Sequence, residues 1–298
     1  MAHLDAEFGY YPHSLNFTVG RVTVSTLPEL EQTVADIEAS AEVDGEWIYP
    51  GPQFISNWGS ISERPYPARV FGLPKTHRIE HGAADGPEHV NFHVWALSFF
   101  LGMRVTAAEA GFLDATPIKS GKLVDFVLLG QGLPNGVALA EDYWRRNTAT
   151  PEQCQRWAAA VHALYLAHYP PGLQFERFIY LYAALDACFA IMKPTTHVPH
   201  AKRIEWMCNQ FGMPIPDWAS AAGTGQAEVA AIRNDAIHEA LFMGAPLGFA
   251  LHGINTNQNL TLEMEALICR FLAALIGVTD TGYLTSKTNT RQRHGLRL

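Results

Sequence analysis

Only four cysteines are present, Cys154, Cys188, Cys208 and Cys269, and no two of them stand in a CxxC arrangement. Each lies in an apolar, helix-like setting, which predicts buried free thiols in a reducing compartment. Long apolar runs are also missing. The longest, Phe92 to Met103, contains His93 and falls short of the roughly 20 residues a bilayer-spanning helix needs. The N-terminus, from Met1 to Glu7, lacks the basic region and apolar core of a secretory signal. These absences together predict a cytoplasmic protein with no membrane partner. Positive charge is not in excess: the formal net charge is −8 and the isoelectric point about 5.9. That counts against a broad, sequence-independent nucleic-acid binder and leaves room for a local cationic site. No internal repeat or low-complexity segment appears. There is no GxSxG nucleophile elbow, no HExxH string and no Walker-type or GxGxxG loop. Gly130-Gln-Gly132-Leu-Pro-Asn-Gly136 has the glycines of a turn, with neither the lysine nor the helix start of a phosphate loop.

What is there suits two domains, since 298 residues with 48% hydrophobic content can bury a sizeable core. Residues 1–147 are rich in Gly, Pro and alternating patterns and predict a strand-rich α+β domain. Leu15, Phe17 and Val19 alternate, slip at Gly20-Arg21 and resume at Val22 and Val24, as in a bulged strand or a hairpin. A helix is predicted over Pro28–Ala41, with short strands at Glu46–Tyr49, Ala68–Leu73 and Val124–Leu129. Phe92, Trp95, Ala96, Phe99 and Phe100 recur at helical spacing. From about residue 148 to 278 the pattern is almost wholly helical: a start at Thr150-Pro151-Glu152, then Phe175–Met192, Pro199–Phe211, Gln226–Met243 and Leu260–Ile276. Five helices with short connections predict an antiparallel bundle. Residues 279–298 form a polar, basic tail with Lys287, Arg291, Arg293 and Arg297. It reads as a solvated terminus, the sharper alternative being a basic arm on RNA.

Within the fourth bundle helix stands Arg233-Asn234-Asp235-Ala236-Ile237-His238. Arginine holds phosphate through a planar fork of donors and keeps its charge; histidine titrates near neutrality and moves protons. At about 100° per residue, Arg233 and His238 lie about 140° apart, on two flanks of a regular helix, while Asn234 and His238 share a face. The string resembles the Arg-x4–6-His signature of the HEPN family. The context resembles it too: a helix carrying aromatic and acidic residues, Glu176 to Asp186, then His200-Ala-Lys-Arg203-Ile204, a loop, the Arg-Asn-x-x-x-His helix and a last apolar helix. The likeness is closest to the ApeA-like subgroup of bacterial defence proteins. For residues 1–147 it is one of architecture alone.

That resemblance implies a HEPN-like bundle over 148–278 that dimerises and forms a composite cleft. It implies a metal-independent endoribonuclease that cuts single-stranded RNA or tRNA loops through attack by the 2′-hydroxyl, as an antiphage or toxin activity. Arg233, His238 and Asn234 would be catalytic, with Asp235, Glu176 and Arg203 in support, and no cofactor or metal is expected. The alternative is a non-catalytic nucleotide-binding or protein-interaction module. The strand-rich half would meet a phage or regulatory protein.

A second set of residues has metal-ligand spacing: His77-x3-His81 and His89-x3-His93. Gly82, Gly86 and Pro87 separate the pairs, so these are expected to be surface and loop histidines. Trp144-Arg145-Arg146-Asn147 is expected to be an exposed domain junction. Tyr10, Tyr11, Trp47, Tyr49 and Trp58 could stack bases, and core packing is their commoner fate.

Overall fold

The structure is a computed structural model, and it describes residues 2–67, 72–106, 115–192, 196–223, 225–247, 259–290 and 292–298. The fold is mixed α+β. The chain forms two compact units: Met1–Leu123 with Gln131–Trp144, and Val124–Gly130 with Arg145–Leu298.

The first unit contains β1 (Ala2–Gly9), β2 (Phe17–Val19), β3 (Val22–Thr26), α1 (Leu30–Glu38), β4 (Val43–Asp44), β5 (Trp47–Ile48), β6 (Pro52–Asn57), β7 (Ser60–Pro67), β8 (Lys75–Ala84), α2 (Pro87–Leu101) and β9 (Thr116–Pro117). Its main sheet is antiparallel, in the order β1-β8-β3-β2. The slip at Gly20-Arg21 is the turn of the β2–β3 hairpin, with Gly20 at φ +57° supplying the left-handed residue that the tight turn requires. Of the expected strand Ala68–Leu73, residues 68–71 lie outside the described residues, and Gly72 and Leu73 are not in a strand.

β8 is the central strand, and side chains two apart share a face. His77, Ile79 and His81 are all buried on one face, while Arg78 on the other reaches Glu7 of β1 at 2.7 Å. Helix α2 starts with Pro87 at its first position, where the missing N–H costs nothing. Nearly every side of it is buried, so the helix sits in the core rather than on it.

Between the units' segments run β10 (Phe126–Leu128), which belongs to the second unit, and α3 (Gly132–Arg146), whose residues up to Trp144 belong to the first. Helix α3 corrects the expectation that Gly130–Gly136 is a turn with no helix start. Pro134 is tolerated in its first turn. Gly136 is required by packing: a Cβ there would stand 2.5 Å from the Phe100 ring.

The second unit holds α4 (Glu152–Leu166), α5 (Gln174–Met192), α6 (Arg203–Phe211), α7 (Glu228–Asn234), β11 (Leu241–Phe242), β12 (Ala245–Pro246), α8 (Leu260–Ile276), α9 (Thr281–Leu284) and β13 (His294–Leu296). Helices α4, α5 and α8 pack on one another, with Trp157, Phe178, Leu181, Leu267 and Phe271 among the residues buried along them. The expected helix Gln226–Met243 is shorter. It runs regularly to Asn234, continues as a π-turn over Asp235–Glu239 and stops at Ala240, which adopts a left-handed conformation at φ +54°. Leu241 and Phe242 then form a small hairpin, with Phe242 packed against Phe175 and Phe178. The four cysteines are buried and free, as expected.

The C-terminal segment is not a frayed tail. β13 pairs in parallel with β10, Leu296 is fully buried, and Arg270 of α8 is buried beneath the segment. Arg270 donates to Asp125 at 2.6 Å, to the Ser286 carbonyl at 3.2 Å and hydroxyl at 2.7 Å, and to the Lys287 carbonyl at 3.2 Å. A buried guanidinium needs such partners, and these bonds tie Asp125, Ser286 and Lys287 to α8. Among the described residues no helix is long and apolar enough to cross a membrane.

Candidate functional sites

In the second unit, α5, α6 and α7 gather polar side chains around the Arg-His motif. Arg233 is half-buried, and its Nη1 donates to Asn234 Oδ1 at 3.1 Å. Its charge bears on both Tyr182 and His200. The Tyr182 hydroxyl lies 3.0 Å from His200 Nε2. Arg203 donates to Asp186 at 3.1 Å and lies over the Phe189 ring at 4.6 Å, so its guanidinium is held in place from two directions. Burial lowers the His200 pKa, and Arg203 and Arg233 add to that effect against the opposing pull of Asp186. Burial, reinforced by Asp186, holds the Tyr182 hydroxyl protonated.

His238 and Asp235 are exposed on the π-turn, beside an exposed Ile237. The turn also changes the motif's geometry. In i→i+5 winding, residues five apart stand nearly above one another, as residues four apart do in an α-helix. The 140° offset expected for a regular helix is therefore narrowed, and Arg233 and His238 come closer to one face. Glu176 has a different place from the one the resemblance implies. It is exposed and accepts the Leu173 backbone N–H at 2.7 Å, satisfying a donor at the start of α5. Tyr182, Asp186 and His200 lie in the segments that carry the resemblance but were not among the expected site residues.

In the first unit, three of the four histidines expected at the surface are instead fully buried around one carboxylate. Glu141 Oε2 lies 3.1 Å from His81 Nε2, 2.8 Å from His89 Nε2 and 3.1 Å from His93 Nε2. His81 comes from the end of β8; His89 and His93 stand one turn apart on α2; Glu141 comes from α3. The four ligand-type atoms all lie within 4.8 Å of one another. Trp144 stacks on His89, with ring centres 4.4 Å apart and planes 6° from parallel, and its Nε1 donates to Asp85 at 2.9 Å. The expectation of an exposed junction at Trp144 is thereby overturned, because the indole covers the histidine cluster.

His77 is buried but stands apart. Residues four apart on a strand share a face yet lie about 13 Å from one another. His77 stacks on Phe8 at 5.4 Å, reaches the His13 carbonyl at 3.0 Å and is held neutral, with burial lowering its pKa to about 4. Of the five aromatics considered as base-stacking residues, Tyr10 and Tyr11 are buried and Trp58 is fully exposed.

Comparison with protein-family models, with curated proteins and with solved structures gives no match for this chain.

Proposed function

We propose that the second unit is a HEPN-type endoribonuclease that cleaves single-stranded RNA or tRNA loops by transesterification, without a metal in the step. The observation that carries this proposal is the convergence of Arg233 with Arg203, His200, Tyr182 and Asp186 on three helices around the motif. Two guanidiniums beside an imidazole form a phosphate site with a proton-transfer group at hand.

In the proposed reaction the ribose 2′-oxygen attacks the adjacent phosphorus in line. The O2′–P bond forms and the P–O5′ bond breaks, leaving a 2′,3′-cyclic phosphate and a 5′-hydroxyl. His200, kept neutral by its surroundings, suits the removal of the 2′-proton. His238, open to solvent, suits the gift of a second proton to the departing 5′-oxygen, after which His200 loses its proton to solvent and His238 regains one from it. Arg233 stabilises the charge on the phosphorane oxygens, and Asn234, held by Arg233, fixes the direction of that fork. Exposure of His238 and Ile237 on one turn favours a homodimer in which two such turns face each other across a symmetry axis. Defence against phage, or a toxin role, is the use such an activity would serve.

The test is RNA cleavage by the full chain in EDTA. Wild-type cleavage with cyclic-phosphate products, reduced by about 10²–10⁴-fold in Arg233→Ala and His238→Ala, supports the reading. Retained cleavage in both variants overturns it. The same guanidinium pair could hold a nucleotide without cutting RNA. In that case wild type binds nucleotide, cleaves nothing, and loses binding in Arg233→Ala but not in His238→Ala.

A further inference from the structure

We propose that His81, His89, His93 and Glu141 bind one divalent transition-metal ion of the zinc class, tying β8, α2 and α3 together in the first unit. Nothing in the bundle's proposed chemistry uses this cluster.

The donor set is the first argument. Three imidazole nitrogens and one carboxylate oxygen are the ligands that first-row divalent ions such as zinc take in four-coordinate sites. Four separate residues from three elements aim these atoms at one point, and the three histidines are shielded from water.

Geometry is the second. Tetrahedral zinc with bonds of about 2.0–2.1 Å has ligand atoms about 3.3 Å apart. The three nitrogens already stand 2.8–3.1 Å from the carboxylate oxygen. An ion seated among them needs the carboxylate oxygen to draw back from the nitrogens and the wider pairs, now up to 4.8 Å apart, to close to about that spacing.

The surroundings are the third. Metal-bound imidazoles commonly give their outer N–H to a carboxylate. At His89 the Asp85 N–H donates to Nδ1 at 3.4 Å, and the Asp85 carboxylate, anchored by Trp144, stands 3.8 Å from the same nitrogen. Coordination through Nε2 would exchange the amide for the carboxylate as the partner of Nδ1, while the Trp144 indole fixes the His89 ring plane. At His81 the Ala83 N–H donates to Nδ1 at 3.1 Å, so the metal-free ring carries its proton on Nε2. Coordination through Nε2 moves that proton to Nδ1 and obliges the Ala83 amide to give up the bond.

Such an ion would be structural. A closed N3O set leaves no fourth position for substrate, and the ligands pin a central strand to two helices. Part of the folding free energy would then depend on the metal.

The experiment uses the full chain, stripped with chelator and titrated with Zn²⁺ alone. Expected are one zinc per chain, a rise in Tm on the order of 5 °C at saturation, and loss of the Ala83 amide's metal-free NMR position. Co²⁺ in place of zinc should give a tetrahedral ligand-field spectrum saturating at one equivalent. Glu141→Gln keeps the side-chain volume and an oxygen that accepts hydrogen bonds, so a purely hydrogen-bonded cluster would tolerate it. The metal site would not, and zinc affinity should fall at least about 10-fold. His89→Ala should abolish stoichiometric binding, while His197→Ala, an exposed control, should bind as wild type. No Tm rise and no stoichiometric zinc in the wild type would overturn the proposal. So would equal zinc binding by wild type and Glu141→Gln. Metal content and Tm are read without RNA, so either result leaves the ribonuclease reading standing.

Discussion

The two polar clusters both include histidine and carboxylate and are opposite in character. Around Glu141 three histidines are stripped of water, so their orientations are dictated by packing and one shared carboxylate. Around Arg233 only Tyr182 is buried; Arg233, Arg203, Asp186 and His200 are half-buried, His238 is exposed, and Arg203 pairs with Asp186. A desolvated cluster holds the fold or a small ion, because nothing larger reaches it. A rim of guanidiniums and imidazoles open to solvent suits a large anionic ligand, because its partners are not all spent within the chain.

The sharpest way to break the contrast is to remove one histidine from each cluster. His238→Ala should cost about 10²–10⁴-fold in cleavage and leave Tm unchanged, since an exposed side chain contributes little to stability. His93→Ala should do the reverse: about 1–3 kcal/mol of stability lost in chelator-stripped protein, from the loss of a fully buried ring and of its bond to the half-buried Glu141 carboxylate. Equal Tm losses in the two variants would remove the distinction.

A buried pair in the second unit tests whether burial there follows the same rule. Glu265 has its pKa raised from 4.5 to about 8, chiefly by burial and then by Asp125, and lies 3.3 Å from His168. A folded-state pKa above the unfolded one adds stability that is complete at low pH and lost as pH rises toward about 8. Glu265→Gln has no proton to lose. Its Tm should therefore gain on wild type steadily between about pH 5 and about pH 8; a constant difference would show that Glu265 is not held protonated.

Two smaller changes sharpen the contrast further. Trp144→Phe keeps the stacking on His89 and removes the bond to Asp85, for about 1 kcal/mol in Tm measurements and, if zinc binds, a weaker site. Ala240→Gly relieves the left-handed residue that ends the π-turn. It should stabilise by about 1 kcal/mol, and cleavage should change only if that turn's stiffness positions His238.

The bundle was legible because its signals are local. Pro151 and Glu152 begin α4, Gly212 and Gly277 end α6 and α8 in left-handed conformations, and the apolar stripes between them repeat at helical period. The Arg-His motif was visible for the same reason, although its π-turn was not: i→i+5 winding has no residue signature, and the 140° offset assumed a regular helix throughout. The histidine cluster was legible only in part. His89 and His93 have the i,i+4 spacing of a helix and lie on one. His77 and His81 have the same spacing and lie on a strand, where it separates them. Glu141 was hidden because Gly132, Pro134 and Gly136 made its helix read as a turn. Leu133, Val137, Ala140 and Trp144 carry the helical period that would have revealed it. The glycine is there for Phe100, a contact between distant parts of the chain.

By itself the sequence determined the mixed α+β class, the approximate length of most helices, the fate of the cysteines and the residues of the Arg-His motif. These follow from periodicity, caps and breakers acting over a few residues. Only the tertiary structure decided that Val124–Gly130 pairs with the C-terminal strand. It alone buried three histidines about one glutamate and set His200 and Tyr182 beside Arg233. Those pairings join residues far apart in the chain, as His93 with Glu141, 48 positions away, or Leu128 with Leu296. Contacts at such separation are chosen by which buried polar groups can satisfy one another once the core has closed, and no local pattern records that choice.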